Sequence, residues 1–159
     1  MPPAPLTPTN RYFPPAKRKI YWLTTCSNYN APTRGELNAG TDLSAEIAAV
    51  AGFSLTDNPV DTPDMGSRFT SQVPGRQTAA GSSLTIYCDQ VGNDARALLL
   101  NGVAGFVVCL WEGDTTGFFM DVFPARVDSQ AMDTTVDDPG QCVFSFTCSR
   151  VPAIRVLVP

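Results

Sequence analysis

At 159 residues and 43% hydrophobic, the chain is long enough to bury one sizeable core, and a single domain is expected. It contains no histidine, which removes the commonest general base, the commonest metal ligand and every Ser/His or Cys/His nucleophile system. The net charge of −4 divides into +4 over the first 19 residues and −8 over the remaining 140, so the body lacks the Lys/Arg excess that captures a nucleic-acid backbone.

The acids are scattered through turns rather than gathered for paired-carboxylate chemistry, so a non-enzyme with no cofactor and no metal site is expected. The longest apolar run, around Val103–Trp111, falls short of the roughly 18–20 residues of a membrane helix. The opening MPPAPLTPTN lacks the apolar centre of a secretory signal, and a soluble protein made in the cytoplasm is expected. Cys26, Cys88, Cys109, Cys142 and Cys148 lie in strand-like runs with no CxxC pair, and read as reduced small hydrophobes rather than zinc ligands.

Residues 1–15 hold six of the fourteen prolines and, with the basic residues up to Arg18, read as an extended Pro-rich arm over 1–18. The single domain then covers 19–159. Lys19–Cys26 (KIYWLTTC) is a strand by its β-branched and aromatic content. Thr33 followed by Glu36 fits a capping box and Gly40 a stop, so one helical turn is expected. Thr41–Ala51 is open: Leu43, Ile47 and Val50 suit a helix, while Ile47–Phe53 also suits the lead into a strand.

Gly52–Val60 is strand-like, and so is Leu84–Asp89. Between them Thr62–Ser83 runs for 22 polar residues, TPDMGSRFTSQVPGRQTAAGSS. Connections beyond about 12–15 residues are uncommon in compact domains unless functional or disordered, so a loop or long hairpin arm over about 61–82 is expected to serve a purpose outside its own domain. Leu84–Asp89 alternates, with Leu84, Ile86 and Cys88 opposite Thr85, Tyr87 and Asp89. Asn93 and Asp94 suit the start of the best helix, 94–100, which Leu98 and Leu99 would dock on the sheet.

Gly105–Glu112 and Phe118–Asp128 form an expected hairpin with a five-residue loop, and Pro124 implies an edge strand or a bulge. Asp138-Pro139-Gly140-Gln141 suits a type II turn launching Gln141–Ser149, where Cys142, Phe144, Phe146 and Cys148 oppose Val143, Ser145, Thr147 and Ser149. Six or seven strands with one flanking α-helix make an antiparallel β-sandwich or barrel. Its open edges must be covered, blunted or paired with another copy.

The phrases APTRGELNAGTDLS, VDTPDMGSRFTSQVPG, SSLTIYCDQ with DARALL, and MDVFPARV, in that order, resemble the major tail tube proteins of long-tailed bacteriophages, particularly those infecting actinobacteria. The likeness runs from about Tyr21 to Val127 and more loosely to Pro159. The Pro-rich arm and the cysteines at 88, 109, 142 and 148 depart from it. What the resemblance implies is a virion tail protein of tail-tube-like fold, assembled in the host bacterial cytoplasm without a membrane. Six copies would form a ring in which one sheet from each subunit joins a continuous inner barrel. Rings would stack into a hollow tube around the tape-measure protein, with tail terminator and baseplate or tail-tip proteins at its ends. Double-stranded DNA would pass as non-specific cargo.

In that family a long hairpin or loop reaches an adjacent subunit or ring, and terminal segments often bridge rings. Here the arm residues would be Asp61, Asp64, Arg68, Phe69 and Arg76. Its two arginines would pair with acids on a neighbour and Phe69 would anchor in a pocket. The candidate lumen-facing residues are Thr85, Tyr87, Asp89, Asp121, Ser145 and Thr147. Asp121 and Asp128 have opposite parity, and Asp121 is favoured. An acidic, hydroxylated lining lets a phosphate polymer slide without sticking. The alternative is a monomeric β-sandwich binding module, such as a capsid decoration or adhesion domain.

Overall fold

The computed structural model describes residues 11, 13, 15–91, 95–133, 137 and 139–159. Most of the Pro-rich arm, Asn93 with Asp94, and Asp138 of the expected turn lie outside them. In chain order the elements are β1 (Lys19–Leu23), α1 (Arg34–Asn38), β2 (Thr41–Asp42), β3 (Ile47–Ala51), β4 (Leu55–Thr62), β5 (Ser71–Ala79), β6 (Ser82–Tyr87), α2 (Ala95–Leu98), β7 (Ala104–Leu110), β8 (Phe119–Asp133), β9 (Gln141–Cys148) and β10 (Ala153–Leu157). The expected antiparallel β architecture is found, with ten strands rather than six or seven, and with α1 at the expected helical turn and α2 within the expected flanking helix 94–100.

One sheet runs β2-β1-β7-β8-β9-β6-β3, with β10 added to β8, and β4–β5 form a separate hairpin. The sheet folds over on itself. Ile20 and Trp22 of β1, Val107 and Cys109 of β7, Phe123, Ala125 and Val127 of β8, Phe144 and Phe146 of β9 and Leu84 and Ile86 of β6 all enter one buried cluster. Burial of this kind contributes roughly 1.5–3 kcal/mol per large apolar side chain. The opposite faces of β1, β7 and the first half of β8 are also covered. Leu23, Val108, Leu110, Met120 and Val122 pack under Leu37 of α1 and Ala153 and Val158 of the C-terminal segment. Burial on both faces explains why β7 is an unbroken apolar run.

Thr41–Ala51, open in the sequence, forms strand and not helix. Its first part pairs with β1 (Tyr21 with Asp42, Trp22 with Thr41) and its second with β6 (Val50 with Leu84). A turn at 44–46 joins them, so this one segment brings the two ends of the sheet together.

β8 is the corner of the fold. Its first half pairs with β7 and its second half with β9, and the register with β9 shifts between Val127 and Ser129. Such a bulge lets one strand serve two layers. Pro124 therefore sits in an interior strand, which corrects the edge expectation. Its carbonyl accepts from the Ser149 N–H, so its missing donor faces the same side, where β9 ends and β10 has yet to begin. The loop before β8 spans 111–118, longer than the five residues expected.

The capping box is found: Thr33 accepts from the Glu36 N–H and the Glu36 carboxylate accepts from the Thr33 N–H. Leu99 is buried and Leu98 packs beside it. The five cysteines are free thiols, with Cys109 and Cys142 buried.

Candidate assembly surfaces

Two surfaces are left without a covering layer. The first is the arm. β4 and β5 pair from Leu55–Ala79 out to Thr62–Ser71, with a register shift between Asn58 and Val60, so the connecting loop proper is only 63–70. Gly75 is required there, because a Cβ would lie 1.9 Å from the Asn58 carbonyl oxygen. At the base, Gly52 (φ 75°) and Phe53 (φ 53°) both adopt the left-handed conformation, turning the chain out of the body. Phe53 stays behind as a plug, its ring 5.3 Å from that of Phe123. Its N–H donates to Ser82 Oγ at 2.9 Å, and Ser82 in turn donates to the Ala80 carbonyl at 3.0 Å.

Along the arm Asp61 accepts from Gln72 Nε2 at 2.7 Å, and Asp64 accepts from the Gly66 N–H at 2.8 Å. Both acids thus hold the hairpin's own shape. Arg76 lies opposite Asn58 in the ladder, and Arg68 and Phe69 stand in the tip. Val60 faces Val73 across the strands, and with Met65 and Phe69 these apolar side chains are exposed, Phe69 at 77%. Among the described residues the ion pairs are Lys19–Asp42 and Arg34–Asp114, so neither arm arginine has one.

The second surface is the outer face of β3, β6, β9 and the second half of β8. Cross-strand partners share a face, and the register gives rows of small side chains. Ala51, Ser83, Ser145 and Ser129 form one row, and Ala49, Thr85, Val143 and Ala131 the next. Tyr87, Gln141 and Asp133 follow. Of the six residues expected on one face, Thr85, Tyr87, Ser145 and Thr147 share it. Asp89 lies past the end of β6, where its side chain accepts from the Val91 N–H and its carbonyl from Arg96.

Asp121, expected with them, is on the other face of the sheet. It precedes the bulge, where odd-numbered residues of β8 point to the core side. Its carboxylate accepts from Trp111 Nε1 at 2.6 Å and from the Arg155 N–H at 2.8 Å. Asp128, set aside in the sequence, instead meets the Thr147 hydroxyl on the small-residue face. Asp133, Ser83 and Ser129 were also missed. The sequence signal for Ser129 and Asp133 was the loss of apolar alternation after Val127, and that for Ser83 was its parity with Thr85 and Tyr87.

This sheet is open at both sides. β3 has no partner beyond β6, and β8 has none opposite β9 after Val127, whose N–H and C=O are the last to bond toward 102–103. No helix of the described residues is long and apolar enough to cross a membrane.

An antiparallel β body with an unsupported hairpin, open edges and a bare sheet face has the features of a structural assembly protein. The chain matches the phage tail tube protein family over residues 7–159, and it belongs to that family: it is a structural, non-enzymatic component of the virion tail. Comparison with curated proteins gives no match. A crystal structure of Hcp protein is similar over 82% of this chain and 87% of that one, at 13% identity and a TM-score of 0.38, a likeness too distant to bear on function.

Proposed function

We propose that this protein is the major tube subunit of a long-tailed phage of an actinobacterial host. Six copies of the body 19–159 close into a ring, and rings stack into the hollow tube through which double-stranded DNA is ejected. The tape-measure protein occupies the lumen during assembly in the host cytoplasm. Terminator and tip proteins close the ends.

One observation carries the reading: a four-stranded sheet that is bare on one face and unpaired at both edges. Joining β3 of one copy to the second half of β8 of the next removes both edges at once. The rows of Ser, Thr and Ala then face the channel. They present short hydroxyls and methyls, with Asp128 and Asp133 against Arg126, so the lining offers little to hold a phosphate chain.

The arm supports the same reading. A two-stranded hairpin alone is marginal in water, and this one exposes four apolar side chains that a neighbouring copy would cover.

Electron microscopy of the purified protein tests the proposal. Hollow tubes or six-fold rings are expected, and persistent monomers across salt and concentration would overturn it in favour of the monomeric binding module. Replacing Asp57–Gln77 by an Asn-Gly turn, which keeps the Thr56–Thr78 pair, is expected to leave a folded body that forms no tubes.

A further inference from the structure

Four surface grooves among the described residues are candidates for receiving a neighbour's arm, and their charges differ. One along β10 contains Arg155. One beside residue 13 contains Arg11 and Lys17 with Glu112. One beside β3 contains Arg18 and no acid. The fourth, of about 410 Å³, lies between Thr41–Glu46 and α2. It is walled by Leu43, Ala95, Ala97 and Leu98, with Asp42 and Glu46 among its lining residues.

In this fourth groove Asp42 is neutralised by Lys19 at 2.9 Å. Glu46 is exposed and makes no side-chain ion pair among the described residues. Its backbone is committed, with its N–H donating to the Leu43 carbonyl and its carbonyl accepting from the Tyr87 N–H, so the position from which the carboxylate extends is fixed beside the apolar wall. The cation of α2, Arg96, is turned to the Asp89 carbonyl at 2.7 Å and does not line the groove. The arm tip presents the matching pair in adjacent positions: a cation without an ion-pair partner, Arg68, and an exposed ring, Phe69.

We propose that the arm tip of one copy docks in this groove of a neighbouring copy, Phe69 against Leu43 and Leu98 and Arg68 against Glu46. An aromatic anchor in an apolar pocket supplies affinity, and the flanking ion pair supplies partner choice. The other three grooves would meet Arg68 with a cation. The inference rests on the tube reading and gives it a specific contact.

Charge reversal in the full chain tests it. Arg68→Glu and Glu46→Arg are each expected to raise the minimum concentration for tube formation by about tenfold, and the double variant to return it to within about threefold of wild type. Glu46→Gln, which changes no backbone bond, is expected to act in the same direction and more weakly. In assembled tubes Phe69→Cys combined with Ala97→Cys is expected to give an oxidised ladder of linked subunits that neither single variant gives. Single reversals without effect, a double variant no better than either single, or tubes with no ladder would each overturn the docking while leaving the tube reading intact. A wild-type protein that forms no tubes overturns the tube reading and the docking with it.

Discussion

The N–H of Phe53 donates to Oγ of Ser82 across 2.9 Å, and this bond ties the two strands of the arm together where they leave the body. Ser82 is the buried polar residue among the described side chains. Ser82→Ala leaves the Phe53 N–H without that partner and is expected to cost about 1–3 kcal/mol. Urea unfolding of the purified subunit measures it. Ser82→Thr, which keeps the hydroxyl, should lose less.

Asp121 satisfies two donors at once, Trp111 Nε1 and the Arg155 N–H, the second on a residue at φ 58°. Asp121→Ala is expected to destabilise the subunit by about 1–3 kcal/mol and to alter the near-ultraviolet circular dichroism of Trp111. DNA passage through tubes of the variant should be unchanged, because this carboxylate is not on the small-residue face.

Two glycines separate body from arm. A Cβ at Gly105 would lie 2.5 Å from the Trp22 ring and 2.7 Å from the Leu23 carbonyl oxygen, so Gly105→Ala should cost about 1–3 kcal/mol in the body. Gly75→Ala meets the Asn58 carbonyl oxygen at 1.9 Å within a hairpin outside both buried clusters. It should leave the thermal midpoint of the body close to wild type while abolishing tubes. Calorimetry and electron microscopy on both variants separate the two effects.

Glu36 is held at about 2, below its ordinary 4.5, chiefly by the backbone N–H of Thr33, with Ser27 adding a second donor. The folded state favours the charged carboxylate, so unfolding takes up a proton at acid pH. The stabilisation is therefore complete above pH 4.5 and is lost as the pH falls toward 2. Glu36→Gln should flatten this part of the stability profile, as followed by urea midpoints across the range.

The row Ser83–Ser145–Ser129 gives a direct test of the channel lining. Ser145→Lys should permit tubes of normal appearance but slow DNA ejection, with the slowing relieved by added salt, because a lysine that contacts phosphates displaces counterions. Ejection at the wild-type rate would remove this face from the channel.

Strands buried on one face were legible in the sequence: β6 and β9 alternate because Leu84, Ile86, Phe144 and Phe146 enter the core while Thr85 and Ser145 do not. The capping box was legible because Thr33 and Glu36 are its whole mechanism. Thr41–Ala51 was not, since Leu43 lies in the connection between two short strands, Ile47 and Val50 in the second of them, and the strands' partners, β1 and β6, lie far apart in the chain. The arm showed its length but not its pairing, because alternation appears only where one face is buried. The faces taken by Asp121 and Asp128 were not legible for one reason. The register shift between Val127 and Ser129 reverses which parity faces outward, and β-bulges leave little trace in residue type.

The hairpin that leaves the body at Phe53 has a kinetic consequence. Immobilising its side chains has an entropic cost at the moment of docking. In the proposed tube, two free subunits meeting in solution would recover that cost through one contact, whereas a subunit arriving at an existing ring would meet several neighbours together. On the proposed docking, nucleation is slow and elongation fast, so purified subunits would form tubes only after a lag, which added preformed rings would shorten.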